Sequence, residues 1–104
     1  MSSSKSFSRA GGLTGGDFSK FLEAKGVGDD CPACNSEASL TVAVYDPEGS
    51  GSPDAEAIRM VRRLEGEPNL GYGELMQVCS NCGFIRYFRD IEVMAFLNES
   101  AHNA

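Results

Sequence analysis

The chain has 104 residues, of which 41% are hydrophobic and 23% are charged, and its formal net charge is −6. This composition is typical of one folded domain and excludes a wholly disordered chain. The acidic balance disfavours nonspecific binding to nucleic acid, which depends on lysine and arginine side chains that neutralise phosphates. No apolar run has the length of a membrane span, so we expect no membrane partner.

Residues 1–16 are predicted to form a flexible tail, because they are rich in serine and glycine and contain few apolar side chains. They carry Lys5 and Arg9 with no acid before Asp17, a pattern that organelle transit peptides share. They lack the continuous apolar stretch of a secretory signal and a convincing amphipathic helix. We therefore expect a tail on a cytoplasmic protein, followed by a folded domain over residues 17–100.

A short helix is predicted over residues 17–25. Its apolar side chains recur at helical spacing on one face: Phe18, Phe21 and Leu22. Asp17 can cap the first turn by accepting hydrogen bonds from its amides. Gly26 stands where a left-handed residue can end the helix, and Val27 stands where it could contact the last turn. The apolar face is interpreted as core packing.

Three further segments are predicted to be strands, namely residues 40–45, 74–78 and 84–88, because β-branched and aromatic residues are concentrated in them. The last two flank a cysteine pair and form a hairpin around it. Turn residues are dense between the strands, and they predict long loops at about residues 46–57 and 66–73.

Residues 54–65 allow two interpretations. The apolar side chains Ile58, Val61 and Leu64 recur every third residue, which favours a helix. Residues 58–62 could equally be a strand that pairs with residues 40–45, and we favour this strand. It would add a fourth strand to the sheet.

A short C-terminal helix is predicted from Asp90 to Leu97, with Asp90 as its cap. The residues from Asn98 onward are small and polar, and we expect them to fray. His102 is the one histidine of the chain, and it falls in this terminal part, where we expect it to be exposed to solvent.

Four cysteines occur as two CxxC units, Cys31-Pro32-Ala33-Cys34 followed by Asn35, and Cys79-Ser80-Asn81-Cys82 followed by Gly83. Two intervening residues let both thiolates of a unit reach one ion from a tight turn. The turn favours a positive φ after the second cysteine, which glycine and asparagine tolerate best. A small domain in a reducing compartment often needs a metal to stabilise it. We therefore predict one Zn(II) per chain, held by Cys31, Cys34, Cys79 and Cys82.

These two units resemble the paired knuckles of the zinc ribbon superfamily, over roughly residues 29–89, and look most similar to small bacterial or phage zinc-ribbon proteins. The resemblance implies a small α+β metal-bound domain with an antiparallel sheet of three or four strands and a short helix at each end. The chain departs from the pattern in two ways. Asn35 replaces the usual glycine, and 44 residues separate the two units.

Other chemistries of the four cysteines were weighed against structural zinc. A rubredoxin-like iron site, which transfers electrons, uses the same paired knuckles. A CxxC redox motif would have to stand at a helix start, whereas Cys31 follows a predicted loop and its unit precedes a strand. Four cysteine ligands leave no open position for hydrolytic chemistry. We therefore expect a protein that is not an enzyme and has no small-molecule substrate.

Two kinds of partner remain open, and we favour another protein because of the acidic net charge. Nucleic acid is the alternative, and it would contact basic and aromatic side chains on the sheet: Arg86, Tyr87, Arg89, Arg59, Arg62 and Arg63. Against this alternative, we expect Phe84 and Phe88 to point into the core and the arginines to pair with the many acids.

Overall fold

A computed structural model describes residues 12–103, except for the side chains of residues 68 and 101–103. The elements of this part follow in chain order as α1 (Gly15–Ala24), β1 (Leu40–Val42), β2 (Val44–Tyr45), β3 (Glu56–Ala57), β4 (Arg59–Leu64), β5 (Glu67–Cys79), β6 (Ile85–Arg89) and α2 (Asp90–Asn103). The predicted combination of two helices with antiparallel strands is confirmed.

Helix α1 starts two residues earlier than predicted, because Thr14 and not Asp17 is its N-cap. Asp17 donates its backbone N–H to Thr14 Oγ1 over 3.0 Å, and its carboxylate accepts from the Thr14 N–H over 3.1 Å. This reciprocal pair is a capping box. Leu13, just before it, is buried, so the folded part begins inside the predicted tail. Residues 1–11 of that tail lie outside the described residues.

The C-terminal end of α1 follows the predicted pattern. Gly26 has a φ of 74°, and its N–H donates to the Glu23 carbonyl, while the Val27 N–H donates to the Leu22 carbonyl. These two bonds form a Schellman ending. Val27 packs against the apolar core, and the apolar face of α1 is buried, as expected.

Strand β5 is the centre of the larger sheet. Glu74 lies opposite residues of both β4 and β6, and Gln77 lies opposite residues of both β1 and β6. Because a strand has two edges, β4 and β1 must follow each other along one edge of β5, while β6 covers the other edge. All these pairings are antiparallel.

The segments 40–45 and 54–65 are each interrupted at one residue, and the two strand pieces of each segment pair with different strands. Ala43 interrupts the first strand, so β1 pairs with β5 while β2 pairs with β3 in a second, two-stranded sheet. Ile58 interrupts the second, and its N–H donates to the Ala43 carbonyl over 3.0 Å. The strand that we favoured for residues 54–65 is thus confirmed from Glu56 onward, in two pieces. Its predicted pairing with residues 40–45 is wrong for β4, which pairs with β5, and only β3 pairs with that segment.

The loop predicted over residues 66–73 is wrong. Glu67 already belongs to β5, and a tight turn at Glu65 and Gly66 connects β4 to it as a long hairpin. Glycine and proline suggested a loop, but pairing of Glu67 and of residues 71–73 with β4 makes the segment part of a strand, with an irregularity over residues 68–70. The loop after β2 ends at residue 55, because β3 begins at Glu56.

The predicted C-terminal helix is present as α2, but Asp90 is its first residue and not its cap, and the helix extends to Asn103 instead of fraying after Leu97. It packs on α1, where Phe96 contacts Phe21 edge to face at 5.8 Å between ring centroids. Tertiary contacts of this kind stabilise the part of the helix up to Leu97, where its core residues lie. No helix within residues 12–103 combines the length and the apolar character that crossing a bilayer requires.

The apolar core lies between the two helices and the strands. Its buried members are Leu13, Phe18, Phe21, Leu22, Ala57, Leu75 and Val93. A second, smaller cluster surrounds the cysteines at the end of β5, where Leu40 and Phe84 pack against the sulfurs. The single strand β5 contributes to both clusters, and it thereby connects the helical core to the candidate metal centre.

Candidate metal centre

The two CxxC units adopt the same local backbone structure. In the first, the Asn35 N–H donates to the Cys31 carbonyl over 2.8 Å, and the Cys31 N–H donates to the Ser36 carbonyl over 3.0 Å. In the second, the Gly83 N–H donates to the Cys79 carbonyl over 2.9 Å, and the Cys79 N–H donates to the Phe84 carbonyl over 2.8 Å. The hydrogen bonds therefore join equivalent positions in the two turns.

The residue after the second cysteine has a positive φ in both units, as the sequence predicts. The φ values are 65° for Asn35 and 85° for Gly83. Asparagine is among the side chains that tolerate this left-handed conformation best, which explains why Asn35 can stand where glycine is more usual. Both units are therefore built as metal-binding knuckles.

The sheet holds the two knuckles against each other. Leu40, at the start of β1, is the register partner of Cys79, the last residue of β5. The Ser80 N–H of the second knuckle donates to the Ser39 carbonyl over 2.9 Å, and the Leu40 N–H donates to the Asp29 carbonyl just before the first knuckle. Pairing between β1 and β5 thus brings together cysteines that lie far apart in the sequence.

The four sulfurs form a compact group whose members all lie within 4.8 Å of one another. Cys31 Sγ is 3.7 Å from Cys82 Sγ, and Cys34 Sγ is 3.8 Å from Cys79 Sγ. A tetrahedron with zinc–sulfur bonds of about 2.3 Å has edges of about 3.8 Å. Disulfides would need sulfurs about 2.05 Å apart. The donor set and its spacing therefore fit one tetrahedral metal ion.

Hydrogen-bond donors surround the sulfurs. Ala33 and Asn81 each donate a backbone N–H, over 3.3 Å, to the sulfur of the first cysteine in their own knuckle, and the Asn81 side-chain amide crosses to Cys34 Sγ at 3.3 Å. The hydroxyl of Ser36 lies 3.2 Å from Cys34 Sγ, and that of Ser39 lies 3.3 Å from Cys79 Sγ. Such donors stabilise thiolates and orient ligands around a metal.

These contacts separate the pKa values of the thiols. The pKa of Cys34 is lowered to about 6, mainly by the Ser36 hydroxyl and then by the Asn81 amide. The pKa of Cys79 is lowered to about 7, mainly by the Ser39 hydroxyl. For Cys82, the backbone N–H of Phe84 lowers the pKa, but desolvation and the neighbouring thiols outweigh it and raise the pKa to about 12. A cation is therefore needed before all the thiolates can form together.

The serines and Asn81 are functional residues that the sequence analysis did not identify. Ser36 and Ser39 follow the first knuckle by two and five residues, and Asn81 lies inside the second. A hydroxyl close in sequence to a cysteine is a usable signal for Ser36. Ser39 and Asn81 act across the two knuckles, and that contact becomes visible only after β1 pairs with β5.

Three of the arginines considered for nucleic-acid contact lie on β4. Arg59 Nε is 3.5 Å from Asp90 Oδ2, and both side chains are largely buried. Arg62 donates to Glu74 Oε1 over 3.0 Å, and this pairing raises the pKa of Arg62. Arg63 is exposed near the turn of the hairpin. Arg59 and Arg62 are therefore engaged with acids.

The remaining candidates lie on β6. Arg86 donates to Gln77 Oε1 and to the Gly28 carbonyl, each over 2.7 Å, and so ties the segment before the first knuckle to the sheet. Arg89 pairs with Glu92 one turn into α2. Tyr87 is exposed between them. The structure brings Arg86 close to the metal centre, but its contacts are internal.

The aromatic neighbours of these arginines point inward, as expected. Phe84 packs against the cysteine cluster, and Phe88 packs against the apolar core. The Phe88 ring meets the Phe18 ring edge to face, with centroids 5.5 Å apart. A row of stacking platforms for bases would need these rings on the surface.

Comparisons with known protein families, with curated proteins and with solved structures find no match to this chain. The assignment of the site therefore depends on its own geometry. That geometry establishes a group of four cysteines that could hold a metal ion within a small α+β fold.

Proposed function

We propose that this chain is a non-enzymatic domain of the zinc ribbon type, in which one structural Zn(II) holds a surface that binds another protein. The observation that carries the proposal is the closed group of four cysteine sulfurs, with spacings that match a tetrahedral site. The chemistry that the metal would supply is cross-linking of the two knuckles. Four sulfur ligands leave no position for a substrate or an activated water.

Zinc is the ion that we assign to the site, and iron is the alternative. Both accept four thiolates in a tetrahedron. Metal analysis of the purified chain decides between them. We expect one zinc per chain and a colourless protein, whereas a red protein with thiolate-to-iron absorption would overturn the zinc assignment.

The ligand set is tested by Cys82→Ser with Pro32→Ala as the matched control. Both residues are exposed members of a knuckle, but only Cys82 belongs to the sulfur group. We expect Cys82→Ser to lose stoichiometric zinc together with its cooperative unfolding transition, and Pro32→Ala to retain both. A Cys82→Ser protein that binds zinc as tightly as the parent chain would contradict the proposed site.

A protein partner is supported by the engagement of the arginines and by the net charge of −6. Arg62 and Arg89 are paired with acids, and Arg86 is bound to backbone and amide oxygens. We expect a stoichiometric protein complex that resists moderate salt. Micromolar, steeply salt-dependent binding to nucleic acid, lost on Arg63→Ala, would favour the alternative.

A further inference from the structure

A groove of about 590 Å³ lies between the β4–β5 hairpin and helix α2, away from the cysteines. Three alternate residues of β4 line one side of it: Arg59, Val61 and Arg63. Residues 69–73, which are consecutive in β5, line its floor, and Ile91 and Met94 line the helix side. Its volume is within the range of about 300–1,000 Å³ that is usual for binding sites.

Two glycines shape the hairpin side of this groove. Gly73 is the register partner of Val61, and Gly71 is the register partner of Arg63. A Cβ at Gly73 would collide with the Asp90 carboxylate, and one at Gly71 would collide with the Arg62 carbonyl. The backbone of β4 itself excludes a side chain at Gly71, whereas at Gly73 the side chains of Asp90 and Arg59 would have to move. Glycine inside a strand commonly marks a place where another backbone approaches closely.

One edge of β5 is uncovered beside the groove. Strand β6 pairs with that edge from Val78 to Glu74, and the chain then turns away into α2 at Asp90. Over residues 69–73, no strand within the described part of the chain pairs with this edge. On the opposite edge β4 pairs with residues 71–73, and residues 68–70 lie in an irregularity of that pairing. Such an edge is a template for one more strand, placed where β6 would have continued.

The lining of the groove is apolar with a positive balance. Val61, Leu70 and Ile91 are 50%, 52% and 51% exposed, and these three side chains come from three different elements. The charged lining residues are two arginines, Arg59 and Arg63, and one acid, Asp90. Arg59 and Asp90 form an ion pair, so the formal net charge of the lining is +1. A locally positive groove on a chain of net charge −6 is complementary to an acidic ligand.

We propose that this groove binds an extended peptide segment of a partner protein, which adds a strand to β5 and carries apolar side chains beside acidic ones. The proposal depends on the proposed function as a protein-binding domain, and it adds the surface and the chemistry of the partner. A peptide fits better than nucleic acid, because a strand edge offers main-chain hydrogen bonds and the apolar side chains offer nothing to phosphates. Two copies of an acidic chain repel each other, which disfavours a homodimer at this surface.

The test uses the full, zinc-loaded, isotope-labelled chain and titrates it with acetylated octapeptides in which valine or leucine alternates with aspartate or glutamate. We expect saturable binding of one peptide per chain, with amide shifts concentrated at residues 69–73, β4 and the start of α2. The same peptides with lysine in place of each acid should bind at least tenfold more weakly. Peptides interrupted by proline should also bind at least tenfold more weakly, because proline has no backbone N–H to donate to a neighbouring strand.

Three variants locate the site. Val61→Asp and Ile91→Asp place a negative charge in the groove, and each should weaken binding at least tenfold. Met60→Asp is the matched control, because Met60 is the neighbour of Val61 on β4, is 47% exposed, and is not part of the groove lining. The peptide affinity of Met60→Asp should stay within twofold of that of the parent chain. Zinc content and thermal transition are measured for each variant, so that a failed metal site is distinguished from a failed groove.

Several outcomes would overturn the inference on a chain that is folded and zinc-loaded. These are absence of peptide binding up to about 1 mM, equal binding of the lysine peptides, and binding that Val61→Asp does not change. If oligothymidylate shifted the amide signals of the groove residues, the surface would be assigned to nucleic acid. Protection, without peptide, of those amides of residues 69–73 that face away from β4 would assign the edge to residues 1–11 of the same chain or, if it depends on concentration, to a second copy.

Discussion

Individual residues determine the shape of the two knuckles. Asn35 and Gly83 occupy equivalent left-handed positions, and each donates its N–H to the carbonyl of the first cysteine in its knuckle. An L-residue with an ordinary side chain resists this conformation because its Cβ approaches the following carbonyl oxygen. The geometry of the metal site therefore depends on two residues that do not bind the metal.

Substitution of Gly83 by alanine tests this dependence. A Cβ at this position would meet no atom within 4 Å, so the cost comes only from the backbone conformation. We expect Gly83→Ala to lower the free energy of unfolding of the metal-loaded chain by about 1–2 kcal/mol. Asn35→Gly serves as the control and should be nearly neutral. Urea denaturation measures both, and equal midpoints for Gly83→Ala and the parent chain would contradict the argument.

The thiols also predict how metal binding depends on pH. Cys82, whose pKa is raised to about 12, must lose a proton to the solvent when a metal binds at neutral pH. Cys79 and Cys34, with pKa values of about 7 and 6, begin to compete for protons below those values. Acid therefore weakens binding. We expect zinc affinity to fall at least tenfold for each pH unit below 8, and more steeply below 7.

Competition with a chromophoric chelator between pH 6 and 8.5 measures this dependence. The Ser36→Ala variant is informative beside it, because the Ser36 hydroxyl is the main cause of the lowered pKa of Cys34. In this variant, the pH range over which zinc affinity falls most steeply should move to higher pH. An affinity that is independent of pH would show that the thiolates are already formed in the metal-free protein.

At the level of elements, β5 organises the molecule because it has three strand partners and belongs to both apolar clusters. Its interior residue Leu75 is fully buried in the core, and its last residue, Cys79, is buried at the metal centre. A substitution in the middle of β5 therefore affects both ends. The helices are secondary by comparison, because they contact this strand less than its three partner strands do.

Helix α1 depends on its capping box, which Thr14→Ala would remove. The variant leaves the Asp17 N–H without its side-chain acceptor, and such losses typically cost about 1 kcal/mol. Ser19→Ala, at an exposed position within the same helix, is the control and should not destabilise. Thermal unfolding of the zinc-loaded variants compares them, and a Thr14→Ala transition that matches the Ser19→Ala transition would contradict a contribution from the cap.

At the scale of the whole molecule, a small apolar core and a candidate metal cross-link share one domain. Seven buried apolar residues form the main cluster within the described chain. A core of that size contributes only a few kcal/mol of net stability. A structural zinc bound by four cysteines contributes an apparent 10–16 kcal/mol, to order of magnitude. We infer that most of the stability of the fold comes from the metal.

Removal of the metal should therefore unfold the domain. We expect a strong chelator to abolish the cooperative thermal transition and to reduce the strand signal in circular dichroism, with recovery when zinc is added back. Leu75→Ala should lower the transition temperature while zinc is still bound, because truncation of a buried leucine costs about 2–5 kcal/mol. A chelated chain that keeps its transition would contradict a structural role for the metal.

The sequence by itself determined the features that depend on neighbours along the chain. The CxxC spacing and the residue after each pair predicted both knuckles, and Gly26 with Val27 predicted the end of α1. These features are local, because their hydrogen bonds join residues at most five positions apart. Composition also predicted that Phe84 and Phe88 point inward, since large apolar rings are rarely left exposed together.

Only the tertiary structure decided the features that depend on distant partners. Residues 67–73 look like a loop by composition, but pairing with β4 makes them part of β5. The Phe96 ring of α2 meets the Phe21 ring of α1, and the Asn81 amide reaches Cys34 only across the paired knuckles. The groove beside β5 likewise arises from three separate elements. Local propensity carries no information on such contacts, since their energy comes from residues that the fold brings together from distant parts of the chain.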